Sequence, residues 1–183
     1  MNGMDWGLEM KFQPAARLTV LEGARIEGYA SVFGVRDQGG DVVVPGAYAT
    51  SLAVLGARGD SVKMLWQHDP AEPIGVWDEV REDATGLFVR GRLLPEVARA
   101  REAAALVAAG AIGGLSIGYR TVRAAKDAGG ARTLTELELW EVSLVTFPML
   151  PQARVAAKGD GPETPWHKVA AALEDARREL AAR

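Results

Sequence analysis

The sequence predicts a mostly β (α+β) domain, an antiparallel barrel or sandwich with peripheral helices. Segments in which apolar and polar residues alternate, or in which β-branched residues cluster, recur along most of the chain. Short glycine-containing connections at residues 22–23, 84–86 and 128–130 separate several of these segments. Connections this short join strands antiparallel, because a parallel crossover needs many more residues.

The expected strands lie within segments that share this alternating or β-rich pattern. In chain order they are residues 17–34, 60–67, 73–83, 86–94, 115–125 and 132–147. Two segments predict helices instead: residues 46–57, which follow Pro45, and residues 95–111, which have Pro95 at the start and Gly110 near the end. Because these helices are interleaved singly with the strands, we expect them at the periphery of the sheet.

The domain is expected to cover residues 1–157 and to be followed by a linker and an amphipathic helix within 158–183. The linker is rich in glycine, proline and charge, and Thr164 with Pro165 suits a helix start. The helix has an apolar face with helical spacing: Trp166, Val169, Ala170, Leu173 and Leu180. This face is expected to dock on the chain's own domain, to dimerise, or to bind a partner in an assembly.

Composition limits the function. The formal net charge is −3 and acidic and basic residues are interspersed, which argues against nucleic acid or an anionic membrane as partner. The absence of cysteine excludes thiol catalysis and cysteine-based zinc sites. No secretory signal or membrane span is evident, so we expect a cytoplasmic protein that acts on proteins or small molecules.

The stretch "GGLSIGY" places Ser116 within a G-x-S-x-G pattern. In an α/β-hydrolase this pattern needs a strand before the serine and a helix after it, and the histidine must follow the serine in the chain. Here a predicted helix precedes Ser116 and a predicted strand follows it. The pattern therefore does not indicate an α/β-hydrolase, although Ser116 remains a candidate nucleophile.

Only two histidines are available as a general base, His68 and His167. His167 lies on the predicted tail helix beyond a flexible linker, where a base cannot be held accurately. His68 lies at the end of a predicted strand, just before Pro70, and strand ends on a rigid sheet are good platforms for catalytic groups. An ordinary surface histidine in a turn is the alternative interpretation of His68.

An acid is needed to orient the base, and Glu141 is the better candidate. It interrupts an apolar strand and, by the two-residue period, points to the same side as Leu137 and Leu139, toward the core. Asp69 competes by proximity to His68, but adjacent residues on a strand end usually point apart. Ser143, two residues after Glu141, is an alternative nucleophile that lacks flanking glycines.

Several segments in this order together resemble the prohead proteases of tailed phages: "EGYASVFG", "GGDVVVPGAY", "WQHDPAEPIG", "TGLFVRGRLL", "AAGAIGGLSIGY" and "LWEVSLVTFPMLPQARV". The resemblance covers residues 26–155. It implies His68 as the histidine, Ser116 as the nucleophile and Glu141 as the acid of a serine endopeptidase without a cofactor. These proteases are distantly similar to herpesvirus assemblin, whose third member is a second histidine.

The resemblance also implies a small closed antiparallel β-barrel and a substrate, the N-terminal scaffolding segment of the major capsid protein. The place of action would be the assembling procapsid of a phage, a prophage or a gene transfer agent. Backbone N–H groups, and in some relatives an arginine, hold the oxyanion, and Arg120 is near enough in sequence to be considered. The alternative function is a non-catalytic module that scaffolds capsid assembly.

Overall fold

The computed structural model describes residues 9–12, 19–21, 24–37, 39–126 and 132–146. Within them lie nine strands and two helices. In chain order they are β1 (Glu9–Phe12), β2 (Thr19–Leu21), β3 (Arg25–Val32), β4 (Asp41–Val43), α1 (Ala49–Arg58), β5 (Lys63–Trp66), β6 (Asp69–Glu82), β7 (Gly86–Leu93), α2 (Ala98–Ala108), β8 (Gly114–Lys126) and β9 (Arg132–Val145). The mostly β class with two interleaved helices is therefore confirmed.

Strands β1 and β4 were not expected from the sequence. They have four and three residues, which is too short for the two-residue period to stand out. Both form by pairing with long strands that the sequence does predict, β1 with β8 and β4 with β9. Such strands are determined by their partners rather than by a local pattern.

All the strands belong to one sheet with the order β1-β8-β9-β5-β6-β7-β3-β2, and β4 pairs with β9 beside this path. The three predicted hairpins are antiparallel, as expected: β2 with β3, β6 with β7 and β8 with β9. The expectation of a wholly antiparallel sheet is wrong, because β4 and β5 both pair with β9 in parallel. Short turns determine only the pairing of chain neighbours, whereas β5 and β9 are joined through a long segment that contains α2.

The sheet is curled, and β3 contacts β8 although the two strands are far apart in the pairing order. The order begins at β1 and ends at β2, and no pairing joins these two strands within the part of the chain described. The closed barrel therefore stays a prediction.

The concave side of the curled sheet holds one apolar core, to which β3, β5, β6, β7, β8 and β9 all contribute. Burying one large aliphatic side chain stabilises the fold by about 1.5–3 kcal/mol. Fully buried members include Ile26, Met64, Ile74, Leu87, Ile117, Leu134, Leu137 and Leu139. Helix α1 packs against β9 and β6, and α2 against β6 and β7.

The edge of β9 that faces away from β8 is hydrogen-bonded along its length by successive parts of the chain. β4 pairs with its beginning, and β5 pairs with Glu141 to Leu144 near its end. Between them, Leu137 donates its N–H to the carbonyl of Ala47, and Leu139 donates to Ser51 Oγ. Since β8 pairs with the other edge, β9 is fixed on both sides.

The predicted linker and C-terminal helix, and with them the domain boundary near residue 157, lie outside the described residues. Among the residues that are described, no helix is long and apolar enough to cross a membrane.

Candidate active site

Ser116 lies near the start of β8, in a strand that pairs with β9 on one side. Its cross-strand neighbour on β9 is Ser143, and Gly118 lies opposite Glu141. Residues two apart on a strand share a face, so Ser116, Gly118, Glu141 and Ser143 form one cluster on the β8–β9 pair. The chain around Ser116 runs from helix α2 into a strand, as the sequence predicts and unlike a hydrolase elbow.

His68 lies in the tight turn between β5 and β6. Trp66 pairs with Asp69 across this turn. Both central residues have positive φ, 53° for Gln67 and 63° for His68, as in a type I′ hairpin turn. For residues other than glycine this backbone conformation is unfavourable by about 1–2 kcal/mol each, so surrounding contacts must stabilise it.

The Gln67 side chain supplies such contacts. Its amide nitrogen donates to Thr146 Oγ1 at 2.5 Å, and its amide oxygen accepts the Thr146 N–H at 3.3 Å. The Gln67 backbone N–H donates to the carbonyl of Leu144 at 2.9 Å. These bonds tie the turn to the end of β9 and bring the His68 ring over the β8–β9 pair.

Glu141 is buried in β9, with 4% of its surface exposed. Its burial agrees with the prediction, but its orientation does not: a register shift at Trp140 places Leu139 opposite Tyr119 on the core face, whereas Glu141 lies opposite Gly118 on the other face, with Ser116 and Ser143. The carboxylate occupies the space above Gly118. A Cβ atom on Gly118 would lie 2.1 Å from Glu141 Oε1. The second glycine of the G-x-S-x-G pattern is thus required by the acid, not by an approaching substrate.

The three side chains form a hydrogen-bonded chain. His68 Nδ1 lies 2.5 Å from Glu141 Oε1, and His68 Nε2 lies 2.7 Å from Ser116 Oγ. A carboxylate oxygen accepts, so Nδ1 carries the ring proton and Nε2 is left to accept the Ser116 proton. This is the arrangement in which an imidazole serves as the base for a serine hydroxyl.

Ser143 is fully buried and has both of its hydrogen-bonding capacities in use. Its hydroxyl donates to Glu141 Oε2 in a short hydrogen bond, and its oxygen accepts the His68 backbone N–H at 3.3 Å. Its location between acid and base does not suit a nucleophile. The sequence suggested Ser143 only as an alternative nucleophile, and its bridging contact depends on the His68 turn, which no pattern reveals.

Other candidates lie apart from this cluster. Asp69 is exposed, and its Oδ1 accepts the N–H of Ala71 at 2.8 Å. The hydrogen bond from His68 Nδ1 goes to Glu141 instead. Arg120 is exposed on β8 and pairs with Glu138, so it does not point toward Ser116. His167 lies outside the described residues.

Two further features of the surface bear on the chemistry. Within the described ranges, no group of three or more His, Cys, Asp or Glu side chains is arranged to hold a metal ion. A groove of about 510 Å³ lies between α1 and the outer face of β8 and β9, lined among others by Val54, Val122 and Trp140. None of Ser116, His68 and Glu141 lines this groove.

Comparisons with known proteins identify the family and the fold. A family model described as Caudovirus prohead serine protease matches residues 15–164. The prohead protease of Enterobacteria phage HK97 is 38% identical over 146 residues, in an alignment that covers 75% of this chain and 62% of that protein. The chain thus spans less than two thirds of that relative's length. The solved structure of the bacteriophage T4 capsid assembly protease matches with a TM-score of 0.58 at 15% identity, over 75% of this chain and 96% of that chain. At this identity the likeness concerns the fold.

Proposed function

The chain belongs to the caudovirus prohead serine protease family, and we propose that it is a serine endopeptidase of capsid maturation. Its substrate is the N-terminal scaffolding segment of a major capsid protein, and its place of action is the assembling procapsid. The observation that carries the proposal is the chain of hydrogen bonds from Ser116 through His68 to Glu141, at 2.7 and 2.5 Å.

In the first half of the reaction, Ser116 Oγ attacks the carbonyl carbon of the scissile peptide bond while its proton passes to His68 Nε2. The tetrahedral intermediate collapses when the carbon–nitrogen bond breaks. His68 returns the proton to the leaving amine, and an acyl-enzyme on Ser116 remains. Water then attacks the acyl carbon, again with His68 as base, and releases the second product.

Glu141 orients the ring and stabilises the imidazolium. It accepts a hydrogen bond from His68 Nδ1. This bond fixes the tautomer in which Nε2 can act as the base. Its burial keeps water from competing for that hydrogen bond.

The protein substrate is supported by the comparisons. The HK97 relative is a prohead protease and the T4 structure is that of a capsid assembly protease. The closed barrel belongs to the same proposal and is supported by the contact of β3 with β8 inside the curled sheet. A phage, a prophage or a gene transfer agent would each supply such a substrate.

Co-expression with the capsid protein of the same particle tests the function. The wild-type enzyme should shorten the capsid protein at its N-terminus, as measured by the intact mass of the product. Ser116→Ala should leave the capsid protein at full length, whereas the control Ser61→Ala, at an exposed serine before β5, should cleave like the wild type.

The alternative is a non-catalytic scaffold module, for which Ser116 would have no chemical role. Cleavage of the capsid protein by Ser116→Ala would contradict Ser116 as the nucleophile and favour Ser143. A capsid protein left at full length by the wild type would contradict the protease proposal and favour the module. The 2.7 Å contact between Ser116 and His68 supports the protease, since a scaffold needs no such contact.

A further inference from the structure

Ser116 has no solvent-exposed surface in the structure. The His68 and Glu141 side chains are also nearly enclosed, with 9% and 5% of their surface exposed. A nucleophile that attacks the backbone of another polypeptide must come within bonding distance of it. The described state therefore holds a complete hydrogen-bonded triad to which a protein substrate has no access.

Strand β1 lies beside Ser116. It pairs antiparallel with β8, and the matched positions run from Glu9 opposite Tyr119 to Phe12 opposite Ser116. The other edge of this part of β8 is taken by β9. The chain's own N-terminal residues thus fill the one edge of β8 that would otherwise offer backbone groups to a second extended peptide.

β1 also runs along β8 in the direction that a bound substrate would take. Because the pairing is antiparallel, β1 approaches Ser116 from its own N-terminal side and reaches it at Phe12. A peptide bound in the same way would lay the residues before its scissile bond along positions 119 to 117 and bring that bond to the nucleophile. Main-chain hydrogen bonds give such binding without requiring a particular sequence.

We infer that the edge of β8 at residues 116–119 is a main-chain binding site for an extended peptide, and that Glu9–Phe12 occupies it as an internal blocking strand. The inference rests on the proposed function, because it concerns access to the proposed nucleophile. The four-residue strand is short enough to be displaced by a substrate held at high local concentration. The enzyme is then restrained until it is concentrated together with capsid protein.

Two truncations of the full chain test the inference. Removal of residues 1–12 deletes the blocking strand, whereas removal of residues 1–8 retains it and serves as the matched control. Each protein is treated with a fluorophosphonate, and the rate of covalent labelling at Ser116 is followed by peptide mass mapping. We expect the shorter protein to be labelled at least about tenfold faster, because the edge and the nucleophile are uncovered.

A proline variant of the full chain provides a second test that does not depend on whether the truncated protein folds. In an antiparallel pair, one of two successive residues directs its N–H to the partner strand, so Met10→Pro with Lys11→Pro removes a β1 donor whichever residue supplies it. This variant should also be labelled faster than the control. A synthetic peptide of residues 6–13 should slow labelling of the protein that lacks residues 1–12, and the same peptide with both prolines should not.

The outcomes separate the inference from the proposed function. Equal labelling rates at Ser116 in the truncation, the proline variant and the control would overturn the inference and leave the protease proposal standing. Labelling of Ser143, or none at Ser116 in any folded variant, would overturn both. Faster labelling on loss of β1, reversed by the added peptide, would support the blocking strand.

Discussion

At the scale of single residues, the site depends on three side chains delivered by three different parts of one sheet: Ser116 by β8, Glu141 by β9 and His68 by the turn after β5. The sequence identifies all three as candidates, because histidine is scarce and because a lone carboxylate in an apolar strand needs a role. It does not predict the shift at Trp140 that turns Glu141 to the face of Ser116. It does not predict the bridging contacts of Ser143, since these require the left-handed turn at His68. Backbone conformation of this kind leaves no periodic signal in the sequence.

Replacement of the acid tests its role as the group that orients His68. Glu141→Gln removes the negative charge but keeps the size of the side chain, so the fold should persist. We expect the cleavage rate to fall by about 10²- to 10⁴-fold, because the imidazolium loses its partner and the tautomer is no longer fixed. Asp69→Asn is the control and should stay within a few-fold of the wild type. The reverse pattern would show that the acid is misassigned.

Ser143 is expected to act as a positioning residue through Glu141 and the His68 turn. Ser143→Ala should lower kcat with little change in KM, because the carboxylate loses its donor while the substrate edge is untouched.

A conservative variant separates this role from packing. Ser143→Thr keeps a hydroxyl at the same position and should restore most of kcat. If Ser143→Ala leaves kcat unchanged, or if Ser143→Thr is no better than Ser143→Ala, then Ser143 only fills space.

At the scale of elements, the hairpins and helices follow from local pattern, whereas the pairing of β1 with β8 and of the parallel strands with β9 does not. The β6–β7 turn is an example of the first kind, because "DATG" contains an aspartate and a glycine suited to a tight turn. Strands β1, β4 and β5 are examples of the second kind. Their place beside β8 or β9 depends on contacts between distant parts of the chain, which a single sequence does not show.

The β6–β7 turn also gives a prediction for the pH dependence of stability. Burial raises the pKa of Asp83, but hydrogen bonds from the Thr85 N–H and the Tyr29 hydroxyl outweigh it, and the pKa falls to about 2. Arg81 adds a further bond at 2.8 Å. The folded pKa lies below the unfolded value of about 3.9, so the stabilisation is complete above about pH 4 and is lost as the pH falls toward 2.

Asp83→Asn should therefore unfold at lower urea concentration than the wild type near pH 7, and the difference should shrink between about pH 4 and pH 2. Asp69→Asn, at an exposed aspartate that accepts a single backbone N–H, serves as the control and should show a smaller difference. A difference for Asp83→Asn that stays constant down to pH 2 would contradict the proposed linkage.

At the scale of the whole molecule, the family match covers residues 15–164, and the C-terminal region gives a separate prediction. The sequence predicts an amphipathic helix there, with an apolar face that includes Trp166, Val169 and Leu173. A helix of this length is only marginally stable alone in water, so its apolar face needs a partner surface. We propose that the partner is another subunit or the capsid scaffold, and that the linker tethers the protease to its substrate.

Removal of residues 158–183 tests the tether. Cleavage of a short test peptide should be almost unchanged, while processing of capsid protein within particles should weaken, because tethering raises the effective concentration without altering the site. Thermal unfolding of the truncated protein serves as the control. Loss of peptide cleavage in step with particle processing, or a lowered unfolding temperature, would show that the segment belongs to the domain's own core.

The most direct test of the triad is a double-mutant cycle on Ser116 and His68, measured as kcat/KM for cleavage of one peptide by the folded proteins. Ser116→Ala and His68→Ala should each remove nearly all activity, and the double variant should be little worse than either, because members of a triad act as a unit. Substantial activity in Ser116→Ala, or losses that multiply in the double variant, would contradict the account.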